Sequence, residues 1–241
     1  MEIAYFFAAH KSDIQKMKIV ERRTFGELHE HFQNYDPRYT IYRGVSSVDH
    51  KLITTLGRLE LKTGDTHSLA ENRILSTFKE RALPFLKSMP NNDWEWLALA
   101  QHHGLPTRLL DWTRNPLVAA YFSVEKESNE PGIIYVLNQE NQQLVNIDKH
   151  RDPLKVEGAP LRYIPSHVTE RIIVQNGLFT FHPEKPSEPF DNDQIKRIKI
   201  PSDARKRLKK DLYRYGIHEA SMFPGLDGLA SHVKWMNEKS H

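Results

Sequence analysis

The stretch Thr113-Arg114-Asn115-Pro116-Leu117-Val118-Ala119-Ala120-Tyr121-Phe122 carries the clearest structural signal in the chain. Asparagine followed by proline is typical of a helix start, because the asparagine side chain caps free backbone N–H groups and proline is tolerated at the first helical position. A run of apolar residues follows at once. We therefore predict a helix that begins at Pro116.

Other helices are predicted from capping residues on either side of this stretch. Thr24 with Glu27 and Ser68 with Glu71 have capping-box spacing, and Asp93 precedes another apolar run. The helix after Ser68 is expected to bury Leu75, Phe78, Ala82 and Phe85. A last helix is predicted from Ser202 to Gly216, with Ala204, Leu208, Leu212 and Tyr215 facing inward.

Strands are predicted where β-branched and aromatic residues cluster. Tyr39–Tyr42 is such a run and leads into Arg43-Gly44. The second half contributes the runs Gly132–Leu137, Leu144–Ile147, Arg171–Val174, Leu178–Phe181 and Ile195–Ile200. Asn176-Gly177 separates two of these runs, and this dipeptide is a hairpin signal.

The element pattern predicts an α+β fold, because it lacks regular βαβ alternation. We expect helices mainly in the first half and a mixed or antiparallel sheet contributed mainly by the second half. No linker divides the chain, so a single domain over residues 1–241 is expected, with its core at about 24–235. The segment Ile3–Ala9 is compatible with a strand or a buried helical turn.

The composition excludes several classes of protein. The 241 residues include no cysteine, which removes disulfide scaffolds, thiolate zinc sites and cysteine nucleophiles. No apolar run approaches the roughly 18 residues of a membrane helix. The longest apolar run follows Glu2, so the positive start of a secretory signal is missing. We expect a cytoplasmic protein without a membrane partner.

The block Gln101–Thr113 is the densest polar cluster. Its strong hydrogen-bonding side chains are Gln101, His102, His103, Thr107, Arg108, Asp111 and Thr113. Two interpretations stay open. The block is either a binding loop held between two helices, or a structural segment in which Arg108 pairs with Asp111 and Thr113 helps to cap the next helix.

Several common types of site find no support. Neighbouring residues point to different sides of a helix, so neither His102-His103 nor His29-Glu30-His31 suits one metal ion. We therefore expect no metal site. Neither the serine-hydrolase motif nor the glycine fingerprints of phosphate and dinucleotide loops occur.

The charge is unevenly distributed. Lys196–Arg214 holds nine basic and two acidic residues, a local charge of +7, whereas the whole chain carries +3. Such a segment either contacts a polyanion such as nucleic acid or forms an ordinary solvated helix face.

The chain resembles the FRG domain family, which is named for an aromatic-Arg-Gly motif. The resemblance rests on Tyr42-Arg43-Gly44, Gln101–Thr113, Asn115–Phe122, Gln175–Phe179 and Gly216–Ala230. These motifs occur in the family's order and span about residues 24–235.

A weaker resemblance links the chain to the Arg-Ser-Glu class of ADP-ribosyltransferases. This resemblance implies NAD as substrate, with Arg43 on its pyrophosphate, Thr113 near the serine position and Glu219 as the catalytic carboxylate. Gln175 is a second candidate for the last role. Residue 217 is Ile217, so the usual Glu-x-Glu or Gln-x-Glu pair is missing. This departure leaves two reactions open: NAD hydrolysis, and transfer to another acceptor such as nucleic acid or a protein.

The expected function is therefore that of an NAD-consuming enzyme, such as a bacterial or phage toxin or defence effector. The predicted NAD contacts are Tyr42, Arg43, Gly44, His103, Thr107, Arg108, Asp111 and Tyr121. Two alternatives stay open: a non-enzymatic nucleic-acid-binding or regulatory module, and a nuclease with His103 as its base.

Overall fold

The computed structural model describes residues 19–166, 169–184, 186–191 and 194–238. Within them the fold class is α+β, as predicted. The described residues form two compact units: unit 1 contains 19–50, 113–138 and 194–238, and unit 2 contains the described parts of 51–112 and 139–191. The expectation of one domain over 1–241 stays a prediction, and the segment Ile3–Ala9 lies outside the described residues.

The described chain contains eight α-helices and seven strands. The helices are α1 (Phe25–Phe32), α2 (His67–Ala82), α3 (Asp93–His102), α4 (Pro116–Val124), α5 (Glu170–Val174), α6 (Ser202–Arg214), α7 (Glu219–Met222) and α8 (Leu226–Met236). The strands are β1 (Ile19–Glu21), β2 (Thr40–Val45), β3 (Leu109–Thr113), β4 (Gly132–Asn138), β5 (Leu161–Tyr163), β6 (Gly177–Phe181) and β7 (Ile195–Ile200). None of the described helices is long and apolar enough to cross a membrane.

Unit 1 is built on strands in the order β1-β7-β4-β2. Strand β1 runs parallel to β7, and the other two pairs are antiparallel. Because side chains alternate between the two faces of a strand, this register places one set of core residues on one face: Tyr42, Ile134, Val136, Ile198 and Ile200. Helices α1, α4, α6 and α7 bury apolar side chains against the same face.

Two glycines let helix α4 approach this face closely. A Cβ atom at Gly44 of β2 would lie 1.8 Å from the Ala119 carbonyl oxygen, and one at Gly132 of β4 would lie 2.1 Å from the Ser123 carbonyl oxygen. Both neighbours are backbone atoms of α4 and cannot rotate away. The glycine of the aromatic-Arg-Gly motif therefore serves helix packing, which is one of the physical roles of glycine in a strand.

Unit 2 has its own apolar core and the strand order β3-β6-β5. Trp94 of α3 is fully buried and packs on Phe181 with a ring-centroid distance of 4.7 Å. Its indole N–H donates to the His150 carbonyl oxygen, so the buried polar atom is satisfied.

The capping predictions are confirmed at two helices. Asn115 Oδ1 accepts the Leu117 N–H at 2.9 Å, and Thr24 Oγ1 accepts the Glu27 N–H at 3.2 Å. At three other helices the N-cap lies one or two residues before the predicted position: it is Thr66 rather than Ser68, Asn92 rather than Asp93, and Pro201 rather than Ser202.

The predicted hairpin around Gln175-Asn176-Gly177 is wrong on its first arm. The residues Arg171–Val174 lie in helix α5, whose N-cap is Thr169. Asn176 adopts a left-handed conformation with φ of 48°, which ends a helix as well as it turns a hairpin. The run Leu144–Ile147 forms only an isolated bridge from Leu144 to Arg162.

The prediction that Phe85 and Tyr215 face inward is also wrong. Phe85 and Tyr215 are exposed, although their neighbours Ala82 and Leu212 are buried as predicted. Phe85 lies in a 3₁₀ turn after α2, and Tyr215 is the C-terminal cap of α6. The helical period does not extend past the end of a helix, so the sequence spacing misplaces both rings.

We predict that Gly44→Ala lowers the free energy of unfolding by about 3 kcal/mol or more, because the methyl group collides with backbone that cannot yield. Chemical denaturation measures this change. Gly26→Ala in α1 is the matched control, since no atom lies within 4 Å of its added Cβ. The control should leave stability unchanged or slightly higher, and equal losses in both variants would contradict the packing argument.

Candidate functional site

The predicted site residues are divided between the two units. Unit 1 holds Tyr42, Arg43, Gly44, Thr113, Tyr121 and Glu219, and unit 2 holds His103, Thr107, Arg108 and Asp111.

Arg108 forms a buried ion pair with Glu71 of helix α2. The two side chains are 4% and 1% exposed, and Arg108 Nε donates to Glu71 Oε2 at 2.6 Å. Another guanidinium nitrogen of Arg108 donates to the Pro183 carbonyl oxygen at 3.1 Å. Burial raises the pKa of the Glu71 carboxyl group, while Arg108 acts in the opposite direction. These contacts bind Arg108 into the interior of unit 2.

The expected pair between Arg108 and Asp111 is therefore wrong. Asp111 instead accepts from Gln101 Nε2 at 2.9 Å, and the buried Thr107 hydroxyl donates to Gln101 Oε1 at 2.5 Å. Gln101 thus ties the end of α3 to strand β3. The polar block has a structural role in unit 2 through these bonds.

The two histidines of the block differ in environment. His103 is exposed and caps the C-terminal end of α3, whereas His102 is half-buried. Burial, with the neighbouring His103, lowers the pKa of His102 to about 4. The described residues contain no group of three histidine, aspartate or glutamate side chains placed to hold a metal ion.

We predict that Glu71→Gln lowers the stability of the protein by about 3–5 kcal/mol, because it leaves the Arg108 cation buried without its counter-charge. Thermal or urea unfolding measures this loss. Asp65→Asn is the matched control on an exposed pair, since Asp65 binds Arg73 at 2.6 Å at the start of the same helix. The control should cost far less; a similar loss in both variants would show that the Arg108 pair is not special.

In unit 1, the side chain of Arg43 lies on the face of the sheet opposite the helices. Its neighbours Tyr42 and Gly44 face α4, and successive side chains of a strand alternate. Arg43 is paired in register with Tyr135, which is paired with Arg197. The Arg197 guanidinium lies 5.7 Å from the centre of the Tyr135 ring.

Thr113 is buried at the end of β3, where it pairs in register with Tyr42. Its hydroxyl accepts the Asn115 N–H at 2.9 Å. Thr113 therefore helps to shape the start of α4, as one of the two interpretations of the polar block predicted.

Glu219 begins helix α7 and lines a small pocket with a volume of about 10 Å³. The pocket walls are Tyr121, Lys209, Tyr213, Ile217, His218, Glu219, His232 and Trp235. Because α7 and α4 pack on the same face of the sheet, Glu219 and Tyr121 lie together, while Arg43 lies on the other face. Of the residues predicted in unit 1, Tyr121 and Glu219 are the two that share this pocket.

Tyr121 supplies a buried polar atom to this pocket. Its hydroxyl is inaccessible and has no hydrogen-bond partner among the residues that the structure describes. Burial raises the pKa of Tyr121 well above its ordinary value, and the carboxylates of Glu125 and Glu219 add to this effect. An unpaired buried hydroxyl costs free energy, and a water molecule or a ligand atom is a group that can pair with it.

Lys209 is the pocket's cation. Its Nζ donates to the Glu125 carbonyl oxygen at 2.7 Å and lies 5.7 Å from the centre of the Trp235 ring. Burial lowers the pKa of Lys209, whereas nearby carboxylates, Glu219 first among them, act in the opposite direction.

Aromatic rings form the remaining wall. His218 and His232 stack with centroids 4.1 Å apart, and Tyr213 and Trp235 flank His232 at 5.5 and 5.9 Å. Burial, together with His232, lowers the pKa of His218. A ring-lined wall beside a carboxylate is suited to a flat or cationic group.

A larger cavity of about 260 Å³ adjoins this pocket and shares Lys209 and Trp235 with it. Its other walls are Val124, Lys126, Glu127, Ser128, Asn129, Ser202, Arg205 and Lys206. Arg205 is only 4% exposed and donates to the carbonyl oxygens of Ser46, Lys126 and Glu130. No sequence motif marks Lys126, His232 or Trp235, whereas the +7 segment points toward Lys209.

The comparisons with known proteins identify one family. The family model for the FRG domain matches residues 38–131, which confirms the predicted resemblance over this segment; the motifs Gln175–Phe179 and Gly216–Ala230 lie outside the match. No curated protein and no solved structure matches the chain. The matched segment includes Tyr42-Arg43-Gly44 and the polar block, and it ends before Glu219.

Proposed function

We propose that the chain is an NAD-consuming, ADP-ribosyltransferase-like enzyme with Glu219 as its catalytic carboxylate. The observation that carries the proposal is the placement of Glu219 beside the unpartnered, buried hydroxyl of Tyr121, in a pocket that shares Lys209 and Trp235 with a larger basic cavity. A carboxylate can stabilise the positive charge that develops on ribose when the nicotinamide–ribose bond breaks, and aromatic rings suit the flat nicotinamide.

The chemistry follows from the charges. When the bond between ribose C1′ and the nicotinamide nitrogen breaks, its electron pair leaves with nicotinamide and positive charge develops on the ribose. A carboxylate at Glu219 stabilises that charge, as in glycoside cleavage. A water oxygen then bonds to C1′ and its proton passes to Glu219, which gives ADP-ribose and neutral nicotinamide.

The small volume beside Glu219 favours hydrolysis over transfer. About 10 Å³ is close to the space that one water molecule needs. The Tyr121 hydroxyl is available to bind that water, and Ile217 stands where the activating partner of an acceptor is usual. We extend the proposal to a cytoplasmic toxin or defence effector, because loss of NAD harms any cell.

This proposal reassigns two residues of the resemblance. Arg43 lies on the face of the sheet opposite α7, and Thr113 bonds to the backbone at the start of α4. In the proposal both residues support the fold, and NAD approaches from the side of the basic cavity.

We predict that Glu219→Gln reduces nicotinamide release from NAD by about 100-fold or more, because the neutral amide cannot offset the developing charge. Release is measured by chromatography on the purified chain, with and without nucleic acid or cell lysate. Glu30→Gln on the exposed side of α1 is the control and should retain full activity. Absence of release by the wild-type chain under every condition, or equal rates in wild type and Glu219→Gln, would refute the proposal.

A second function, binding of a polyanion such as nucleic acid, is favoured by the exposed side of α6. Arg207, Lys210 and Arg214 are three and four residues apart, so they lie along one face of the helix. Arg205 and Lys209, which were expected on this basic face, are instead turned toward the carbonyl oxygens that follow α4.

If this face binds nucleic acid, affinity for a short DNA strand should fall steeply with salt, and Arg207→Glu with Lys210→Glu should reduce both affinity and the salt slope. Fluorescence anisotropy at several salt concentrations measures both quantities. Lys62→Glu, an exposed position in unit 2, is the control. Binding that is independent of salt, or that survives the double charge reversal, would exclude the α6 face.

A further inference from the structure

We propose that the 260 Å³ cavity beside the Glu219 pocket is a phosphate subsite, which holds the pyrophosphate of a dinucleotide or nucleotide sugar through Lys126, Lys206 and Lys209. This inference rests on the proposed function in taking the same substrate, and it deepens it by naming the class of group that is held and the residues that hold it.

The charged side chains that line the cavity favour an anionic ligand. Four of the residues in its wall are cationic, namely Lys126, Arg205, Lys206 and Lys209, and one is anionic, Glu127. The ammonium groups of Lys126 and Lys206 are on exposed side chains at the mouth, while Lys209 is half-buried. A concave surface of one charge sign concentrates counter-ions, and phosphate groups are the biological anions best matched to several lysines.

The buried guanidinium of Arg205 gives the cavity a rigid base. It crosslinks the carbonyl oxygens of Ser46, Lys126 and Glu130 at 2.6–3.1 Å. Lys126 and Glu130 bracket the loop that carries Ser128 and Asn129, so this loop is held against α6. A preformed wall costs little ordering entropy when a ligand binds.

Helix α6 supplies a further attraction for anions. Its first residue, Ser202, lines the cavity, and its N-cap, Pro201, offers no side-chain hydrogen bond to the helix. The first N–H groups of a helix carry partial positive charge and bind phosphates well. This helix end therefore adds to the lysines rather than acting alone.

The shared wall connects the subsite to the reacting group. Trp235 and Lys209 border both the cavity and the Glu219 pocket. A phosphate held by Lys209 consequently places the attached ribose near the boundary of the two spaces, beside the indole ring of Trp235.

ADP-ribose and inorganic pyrophosphate are the probes for this subsite, since both carry the pyrophosphate and neither is cleaved. Isothermal titration calorimetry of the full chain should detect ADP-ribose binding, and Lys126→Gln and Lys206→Gln should each weaken it about tenfold. Lys210→Gln, on the same helix but outside the cavity, should leave the affinity unchanged, as should Arg43→Gln. Thermal unfolding of each variant verifies that it is folded.

Several results would overturn the subsite: no binding of ADP-ribose at 1 mM (roughly the weak limit of specific ligands), affinities that both lysine variants leave unchanged, or a loss confined to Arg43→Gln. Tighter binding of a DNA strand that depends on Lys126 and Lys206 would assign the cavity to nucleic acid instead. Lysine-dependent binding of ADP-ribose by a wild-type chain that releases no nicotinamide would support the subsite while refuting the proposed enzyme. Nicotinamide release without lysine-dependent binding would do the reverse.

Discussion

The close contact between the backbone of helix α4 and the sheet of unit 1 is the constraint on which the rest of that unit depends. Gly44 and Gly132 leave no side chain between the strands and the carbonyl oxygens of Ala119 and Ser123. With α4 held this closely, Tyr121 is carried into the interior, and α6 and α7 pack around the same helix. The Glu219 pocket is a consequence of this arrangement, because it forms where α4, α6, α7 and α8 meet.

The parts of the fold that could be predicted are those governed by local chemistry. Asn115-Pro116 and Thr24 start helices through bonds to residues two or three positions away, and the β-rich run Gly132–Leu137 is a strand. The helix at Arg171–Val174 could not be separated from a strand, since the three β-branched residues Ile172, Ile173 and Val174 suit both. Glu71 shows the same limit: its spacing from Ser68 predicts a capping box, but Thr66 caps the helix and the partner of Glu71 is Arg108, 37 residues away.

The candidate site was predictable in part for a related reason. The resemblance named Glu219 and Tyr121, which share a pocket, and Arg43, which does not. A strand reverses the direction of its side chains at every residue, so the motif Tyr42-Arg43-Gly44 necessarily sends its arginine away from the face that its neighbours occupy. Only the register and the position of α4 decide which face that is. Trp235 and His232 carried no motif, so they could be found only from the folded structure.

The basic residues of helix α6 fall into two groups: some pack inward against backbone, and others lie at the cavity or the surface. Arg205 and Lys209 point inward and donate hydrogen bonds to the carbonyl oxygens that follow α4. These bonds stabilise the C-terminal end of that helix. Lys206 faces the cavity, Arg207 and Arg214 are exposed, and Lys210 is half-buried. Local charge alone therefore overstates the surface available to a polyanion. Lys209 lines the pocket of Glu219 and also donates to the carbonyl oxygen that follows α4, so the packing of α4 brings positive charge to the edge of the pocket.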